Sequence, residues 1–191
     1  MAQAHWFLLS KTPFLARSSH TIAVTEAGIL IVYGGELAPR TPVDTGVGRD
    51  ATPRGSLHIF DLARSVLSQG WRMLTPDPAL FAPEALPEPR VGATTVWHDG
   101  ALYVWGGRGG KDMTPLDAQQ AGVWKATFVA SGKGSQQSVR WERITAANEE
   151  QAPASRSYHT AVVHGVNSLL RRASTLRSCS TGTHLRARGL P

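Results

Sequence analysis

The sequence predicts an all-β fold built from repeated units of four short strands, and three observations carry that prediction. An arginine-led stretch recurs as Arg17-Ser18-Ser19-His20-Thr21, Arg90-Val91-Gly92-Ala93-Thr94 and Arg156-Ser157-Tyr158-His159-Thr160, each opening an alternating apolar run. Behind the first two copies an apolar strand ends in a glycine pair, at Ile29-Leu30-Ile31-Val32-Tyr33-Gly34-Gly35 and Ala101-Leu102-Tyr103-Val104-Trp105-Gly106-Gly107. A tryptophan-bearing strand then closes each unit, around Trp71 and Trp141. Self-similarity at a long period marks a repeat architecture.

Each unit can be justified strand by strand. The arginine stretch leads into the first strand, whose period-two alternation suits a half-buried sheet. The second strand is nearly all apolar and β-branched or aromatic, so it belongs in the middle of a sheet. The glycine pair ends it, because glycine accepts a positive φ without a Cβ clash and lets the chain leave the sheet sharply. Ser56-Leu57-His58-Ile59-Phe60-Asp61-Leu62 and Gly122-Val123-Trp124-Lys125-Ala126-Thr127 supply the third strand. Gly70-Trp71-Arg72-Met73-Leu74 and Val139-Arg140-Trp141-Glu142-Arg143-Ile144 supply the fourth. Trp71 and Trp141 read as core aromatics packing between units.

This order of arginine, double glycine, aromatic-Asp strand and tryptophan resembles the kelch repeat over residues 1 to about 165. The resemblance implies a kelch-type β-propeller, incomplete, with two full four-stranded blades plus partial blades. Residues 1–16 would be a last-strand fragment of a blade, with Trp6-Phe7-Leu8-Leu9 as the strand. Residues 17–79 and 80–155 would be the two blades, 156–165 the start of a third, and 166–191 a non-propeller basic tail, expected to be disordered. The opening arginines stand 73 and 66 residues apart, against roughly 50 for a kelch unit. The excess falls after the glycine pairs, in residues 36–55 and 108–121, which read as inserted loops.

The formal net charge is +6, but its distribution argues against a nucleic-acid partner. Residues 1–165 carry fifteen Lys and Arg against fourteen Asp and Glu, and the remaining five arginines lie from Arg171 onward. A single cysteine, Cys179, excludes an intramolecular disulfide and favours a cytoplasmic or nuclear setting. No apolar run approaches the length of a membrane span, so no membrane partner is expected.

Loops on a rigid scaffold carry function more often than strands. Antiparallel strands place the start of the first strand and the end of the second at one face, so Arg17, His20, Arg90, Arg156 and His159 share that face with the two loops. Glu36-Leu37-Ala38-Pro39-Arg40-Thr41-Pro42-Val43-Asp44 is charged and stiffened by two prolines; Arg108-Gly109-Gly110-Lys111-Asp112 is basic and glycine-rich. A guanidinium held near a carboxylate suits a bidentate grip on sulfate, carboxylate or phosphate. Glu36, Arg40, Arg108, Arg90 and Arg156 are therefore the candidate ligand-binding residues. The alternative is a blade-to-blade salt bridge between Glu36 and Arg108, or a solvated rim. His20 and His159 read as residues that orient a neighbouring unit.

The same loops, with Pro89-Arg90-Val91-Gly92-Ala93-Thr94 and Arg156-Ser157-Tyr158-His159, resemble the nitrile-specifier and thiocyanate-forming kelch proteins and their fungal relatives. Those proteins redirect the unstable aglycone of glucosinolates towards nitrile with ferrous iron. The resemblance implies a sulfate-holding arginine at Arg108, with Arg40 standing in for a basic residue that relatives carry where this chain has Ala38. The family's Glu-x-x-x-Asp-x-x-x-His iron segment does not occur in this chain. The expectation is thus a kelch-repeat binding module, probing either a protein or a sulfated or anionic small molecule, without a cofactor or metal of its own. The alternative is a nitrile-specifier-like enzyme, for which Fe(II) would be the cofactor. A phosphate loop is excluded because Trp105 and Asp112 stand where glycine and Ser/Thr are required. No G-x-S-x-G elbow supports a nucleophilic hydrolase. Two uncovered blade faces would each present apolar strands to water, and 400 Å² of such surface forgoes roughly 10 kcal/mol of burial, so self-association is a further expectation.

Overall fold

The computed structural model describes residues 3–6, 8, 10, 16–46, 52–62, 70–76, 85–117, 120, 122–130, 137–145 and 148–163. Their regular structure is almost wholly strand, as expected, arranged in several antiparallel sheets. Sheet one contains β1 (Thr21–Val24), β2 (Ile29–Tyr33), β5 (Leu57–Asp61) and β6 (Arg72–Leu74), in the order β1-β2-β5-β6. Sheet two contains β7 (Thr94–His98), β8 (Ala101–Trp105), β11 (Val123–Ala130) and β12 (Gln137–Ile144), in the order β12-β11-β8-β7. Between the second and third strands of each sheet the chain forms a two-stranded ribbon. The first ribbon pairs β3 (Glu36–Ala38) with β4 (Thr41–Pro42), and the second pairs β9 (Arg108–Gly109) with β10 (Thr114–Pro115). No helix among the described residues is long and apolar enough to cross a membrane.

Strand alternation builds the core. Ile31 and Tyr33 of β2, Leu57 and Ile59 of β5 and Leu74 of β6 face Leu102 and Val104 of β8, Trp124 and Ala126 of β11, and Val139 and Trp141 of β12. These residues sit two apart along their strands, so one face of each sheet is buried against the other. Trp141 is the joint between the sheets. Its ring lies 5.2 Å from that of Tyr33, and its indole N–H donates to Gly55 O at 2.7 Å. Removing a buried tryptophan of this kind costs about 3–5 kcal/mol. Trp71 is only half-buried and packs on Phe60 within its own sheet, with ring centroids 5.3 Å apart. Trp141 has the inter-unit place expected of it. On the far side of sheet two, Val96, Ala101 and Tyr103 form a second cluster, against which Val123, Ala161 and Val163 pack.

Backbone hydrogen bonds join the successive copies in the same way twice. Gly35 N–H donates to Arg90 O at 3.0 Å, and Gly107 N–H to Arg156 O at 2.8 Å. Gly92 N–H donates to Ser19 O at 2.9 Å, and Tyr158 N–H to Gly92 O at 2.7 Å. The second glycine of each pair thus reaches the arginine of the next copy, and the second residue after each arginine reaches back to its counterpart.

Three expectations need revision or fall outside the described residues. Within residues 1–16 no described residue joins a ladder, and Trp6 is 96% exposed. Phe7 and Leu9 of the expected last-strand fragment lie outside the described residues. Residues 156–163 also form no strand. A first strand in this order pairs only with the second strand of its own repeat, and the residues that would follow Val163 lie outside the described set, as does the basic tail at 166–191.

Gly35 tests the inter-repeat joint. It sits at φ 93°, and a Cβ there would stand 2.6 Å from Ser18 O and 2.9 Å from His20 Cβ. Gly100, in the β7–β8 turn beside Asp99, also has a positive φ of 71° but nothing within 4 Å of a Cβ. Gly35→Ala should lower the unfolding free energy by about 2–3 kcal/mol, and Gly100→Ala by only about 1 kcal/mol. Urea unfolding of the two variants checks this, and equal losses would show that backbone strain alone, without the close approach, sets the cost.

Candidate functional site

The two ribbons that carry the candidate residues are built alike. Glu36 is fixed by two backbone hydrogen bonds with Ser18, both 2.9 Å, and Arg108 by two with Val91, 2.9 and 3.0 Å. Val43 N–H closes the first ribbon on Gly35 O at 3.0 Å, and Leu116 N–H closes the second on Gly107 O at 3.1 Å. Each ribbon turns through a residue with left-handed backbone, Arg40 at φ 65° and Met113 at φ 51°. The sequence held the signal for this likeness: Thr41-Pro42-Val43-Asp44 and Thr114-Pro115-Leu116-Asp117 stand 73 residues apart, the same distance as Arg17 and Arg90. The two segments that read as insertions thus each form a two-stranded ribbon at the same place in the repeat.

Between the ribbons lies a cavity of about 350 Å³, lined by Glu36, Pro39, Arg40, Arg108, Asp112 and Met113. Three of the five candidate residues, Glu36, Arg40 and Arg108, meet there. Glu36 Oε2 accepts the backbone N–H of Arg40 at 3.0 Å, which holds the strained turn in place. Arg108 donates from Nη2 to the Tyr158 hydroxyl at 2.8 Å and lies over the same ring, its guanidinium carbon 4.8 Å from the centroid. The Tyr158 hydroxyl stands 3.3 Å from Ser19 Oγ, which donates to Glu36 Oε1 at 3.5 Å. Glu36 and Arg108 are thus linked through Tyr158 and Ser19. Arg108 Nε is buried and makes no hydrogen bond.

Tyr158, Ser19 and Asp112 were not among the sequence candidates. Ser19, Gly92 and Tyr158 occupy the same place in the three copies, and all three are left-handed, with φ of 55°, 65° and 55°. The glycine makes room for the tyrosine, since a Cβ on Gly92 would meet the Tyr158 ring at 3.1 Å. A left-handed tyrosine stores strain of order 1–3 kcal/mol, and such strain persists where neighbouring contacts hold it and gathers at binding sites. The position of Tyr158 two residues after a repeat arginine was visible in the sequence; its backbone conformation was not.

Arg90 does not belong to the site, which corrects the sequence expectation. Its side chain is 0% exposed. The guanidinium donates to Glu88 O at 3.0 Å from Nε, to Gly106 O at 2.9 Å from Nη1 and to Gln120 O at 3.0 Å from Nη2. A repeat arginine is consumed in capping carbonyls where the second strand ends. Arg17 plays the same part, donating from Nη1 to Gly34 O at 3.2 Å, with Nη2 3.2 Å from His58 Nδ1. Arg156 donates from Nε to Ala154 O at 3.0 Å and stands 5.7 Å from the Trp105 ring centroid, and it does not line the cavity.

Below the ribbons the interior is charged. Asp44 is almost wholly buried and accepts Gly55 N–H at 3.3 Å. Burial pushes its carboxyl above the usual range, while the Gly55 hydrogen bond and the Arg90 and Arg17 guanidinia oppose that rise. Burial and then Asp44 push the Tyr33 hydroxyl up as well. His159, expected to orient a neighbouring unit, packs edge-on against Trp105 with ring centroids 4.6 Å apart, whereas His20 is exposed. No group of three His, Cys, Asp or Glu among the described residues is placed to hold a metal ion.

No family model and no curated protein matches the chain. Among solved structures it is similar to that of YjhT, at 20% identity and a TM-score of 0.44, over 78% of this chain and 31% of that one. The chain therefore spans about a third of that structure's length.

The buried imidazoles make stability depend on pH. His58 is held down to about 4, first by burial and second by Arg17; burial and then Arg156 lower His159. The unfolded chain takes up protons on these rings near 6.5, whereas the folded chain resists until lower pH. Stability is therefore full above the ordinary imidazole value and falls as pH drops from there towards about 4. The raised Asp44 carboxyl acts oppositely at the acid end, since its protonation is favoured by folding. His58→Asn should flatten the loss between pH 6.5 and 4 in urea titrations, and an unchanged slope would show that His58 is not a titrating group that matters.

Proposed function

We propose that the chain is a kelch-type β-propeller unit that binds a small molecule through an anionic group, in the cavity between its two ribbons. Two four-stranded antiparallel sheets, joined to the following copy by equivalent hydrogen bonds, support radial repetition. The observation that carries the binding reading is the meeting of Arg40 and Arg108, one from each ribbon, in one cavity of about 350 Å³. That volume lies within the range of small-molecule sites, which favours a small ligand over a protein partner.

Arg108 is suited to the work. Tyr158 fixes its guanidinium by a hydrogen bond and by its ring face, so less side-chain freedom is lost when an anion arrives. The likeness of the loops to nitrile-specifier proteins supports a sulfate as the anionic group, and makes a sulfate ester the first ligand to try. Conversion of a glucosinolate aglycone to nitrile is the enzymatic extension of this reading.

Calorimetric titration with a small alkyl sulfate tests the proposal. Arg108→Ala should weaken binding at least about tenfold, the loss expected for one charge-assisted hydrogen bond. Arg108→Lys should recover only part of it, because an ammonium lacks the planar fork. Equal affinity in the wild type and Arg108→Ala would overturn the assignment. In the coupled assay with myrosinase, glucosinolate and added Fe(II), an unchanged isothiocyanate yield would remove the enzymatic extension and leave the binding reading standing.

A further inference from the structure

The cavity carries a second charge pattern, and it points to a more specific ligand. On the first ribbon an acid comes first and a base four residues later, Glu36 and Arg40; on the second the order is reversed, Arg108 and Asp112. Glu36 and Arg108 hold equivalent places, each paired through its backbone to the stretch after a repeat arginine. Arg40 and Asp112 stand at the two tips, where Arg40 and Met113 make the equivalent left-handed turns. All four line the same cavity. The site thus offers two guanidinia and two carboxylates, interleaved, with Pro39 and Met113 as its apolar lining.

We infer that the ligand is zwitterionic, a small molecule whose acid group lies on Arg108 and Arg40 while an ammonium or comparable cation lies on Glu36 and Asp112. This rests on the reading of the cavity as an anion site and deepens it. A purely anionic ligand would bring its charge beside two carboxylates in a partly enclosed space, where like charges repel more strongly than in water. A ligand with both signs answers every charged group in the lining. Glu36 retains the capacity to accept more. A carboxylate offers about four lone-pair sites, and the Arg40 N–H and the long Ser19 contact occupy two. Asp112 is exposed at the tip of its ribbon.

The experiment compares taurine, which carries a sulfonate and an ammonium two carbons apart, with ethanesulfonate, which lacks only the amine. Calorimetry or ligand-observed NMR on the full chain should find taurine bound about tenfold more tightly, the worth of one charge-assisted pair. In the combined variant Glu36→Gln with Asp112→Asn the preference should fall to about one, while Arg108→Ala should weaken both probes. Asp112→Asn alone, at an exposed position, should lower the preference without touching the fold. Equal binding of the two probes by the wild type would overturn the zwitterion inference and leave the anion site intact. A taurine preference that survives in the combined variant would overturn it as well. Binding of neither probe would overturn the anion site together with it.

Discussion

The structure depends on a short line of backbone hydrogen bonds that runs across the copies at their left-handed residues. Tyr158 donates to Gly92, and Gly92 donates to Ser19. Beside this line, Gly35 donates to Arg90 and Gly107 to Arg156. Each bond is ordinary in strength, about 1 kcal/mol net. Their importance is geometric. They set the distance between successive repeats so that Tyr33 meets Trp141 and the apolar faces of the two sheets close on each other. Without that spacing the ribbons would not face each other.

Charge inside the fold serves the same end. A buried arginine is expensive unless its hydrogen-bonding groups are answered, and Arg90 donates from all three guanidinium nitrogens to carbonyls of three segments. Asp44 is the matching acid, near enough to Arg90 and Arg17 for their charges to lower its pKa against the rise caused by burial. The arrangement gives Arg17 and Arg90 a common part, each capping the carbonyl of the first glycine after the second strand of its own copy. The cavity between the ribbons is lined instead by residues displayed beyond the glycine pair.

Much of this was legible in the sequence. The all-β class, the eight main strands and the convergence of Glu36, Arg40 and Arg108 all follow from periodicity and repeat spacing. What escaped has physical causes. Arg90 was mistaken for a surface residue because repetition locates an arginine on a face without saying whether it points inward. The pairing of each inserted segment into a ribbon is carried by the Thr-Pro-Val-Asp and Thr-Pro-Leu-Asp pair, whereas glycine and tryptophan mark only the main strands. Tyr158 escaped because its part in the site comes from a left-handed backbone, which is rare for an aromatic residue, and from contacts 50 and 139 residues away in the chain.

The composition of the cavity wall has a thermodynamic consequence. Glu36, Pro39 and Arg40 come from the first copy and Arg108, Asp112 and Met113 from the second, while Tyr158 of the third copy holds Arg108. A ligand seated there would bridge two repeats directly and lean on the third through Tyr158. Whatever binds the assembled arrangement and not its separated parts adds RT ln(1 + [L]/Kd) to the cohesion of the whole, so occupancy and the integrity of the repeat array rise and fall together.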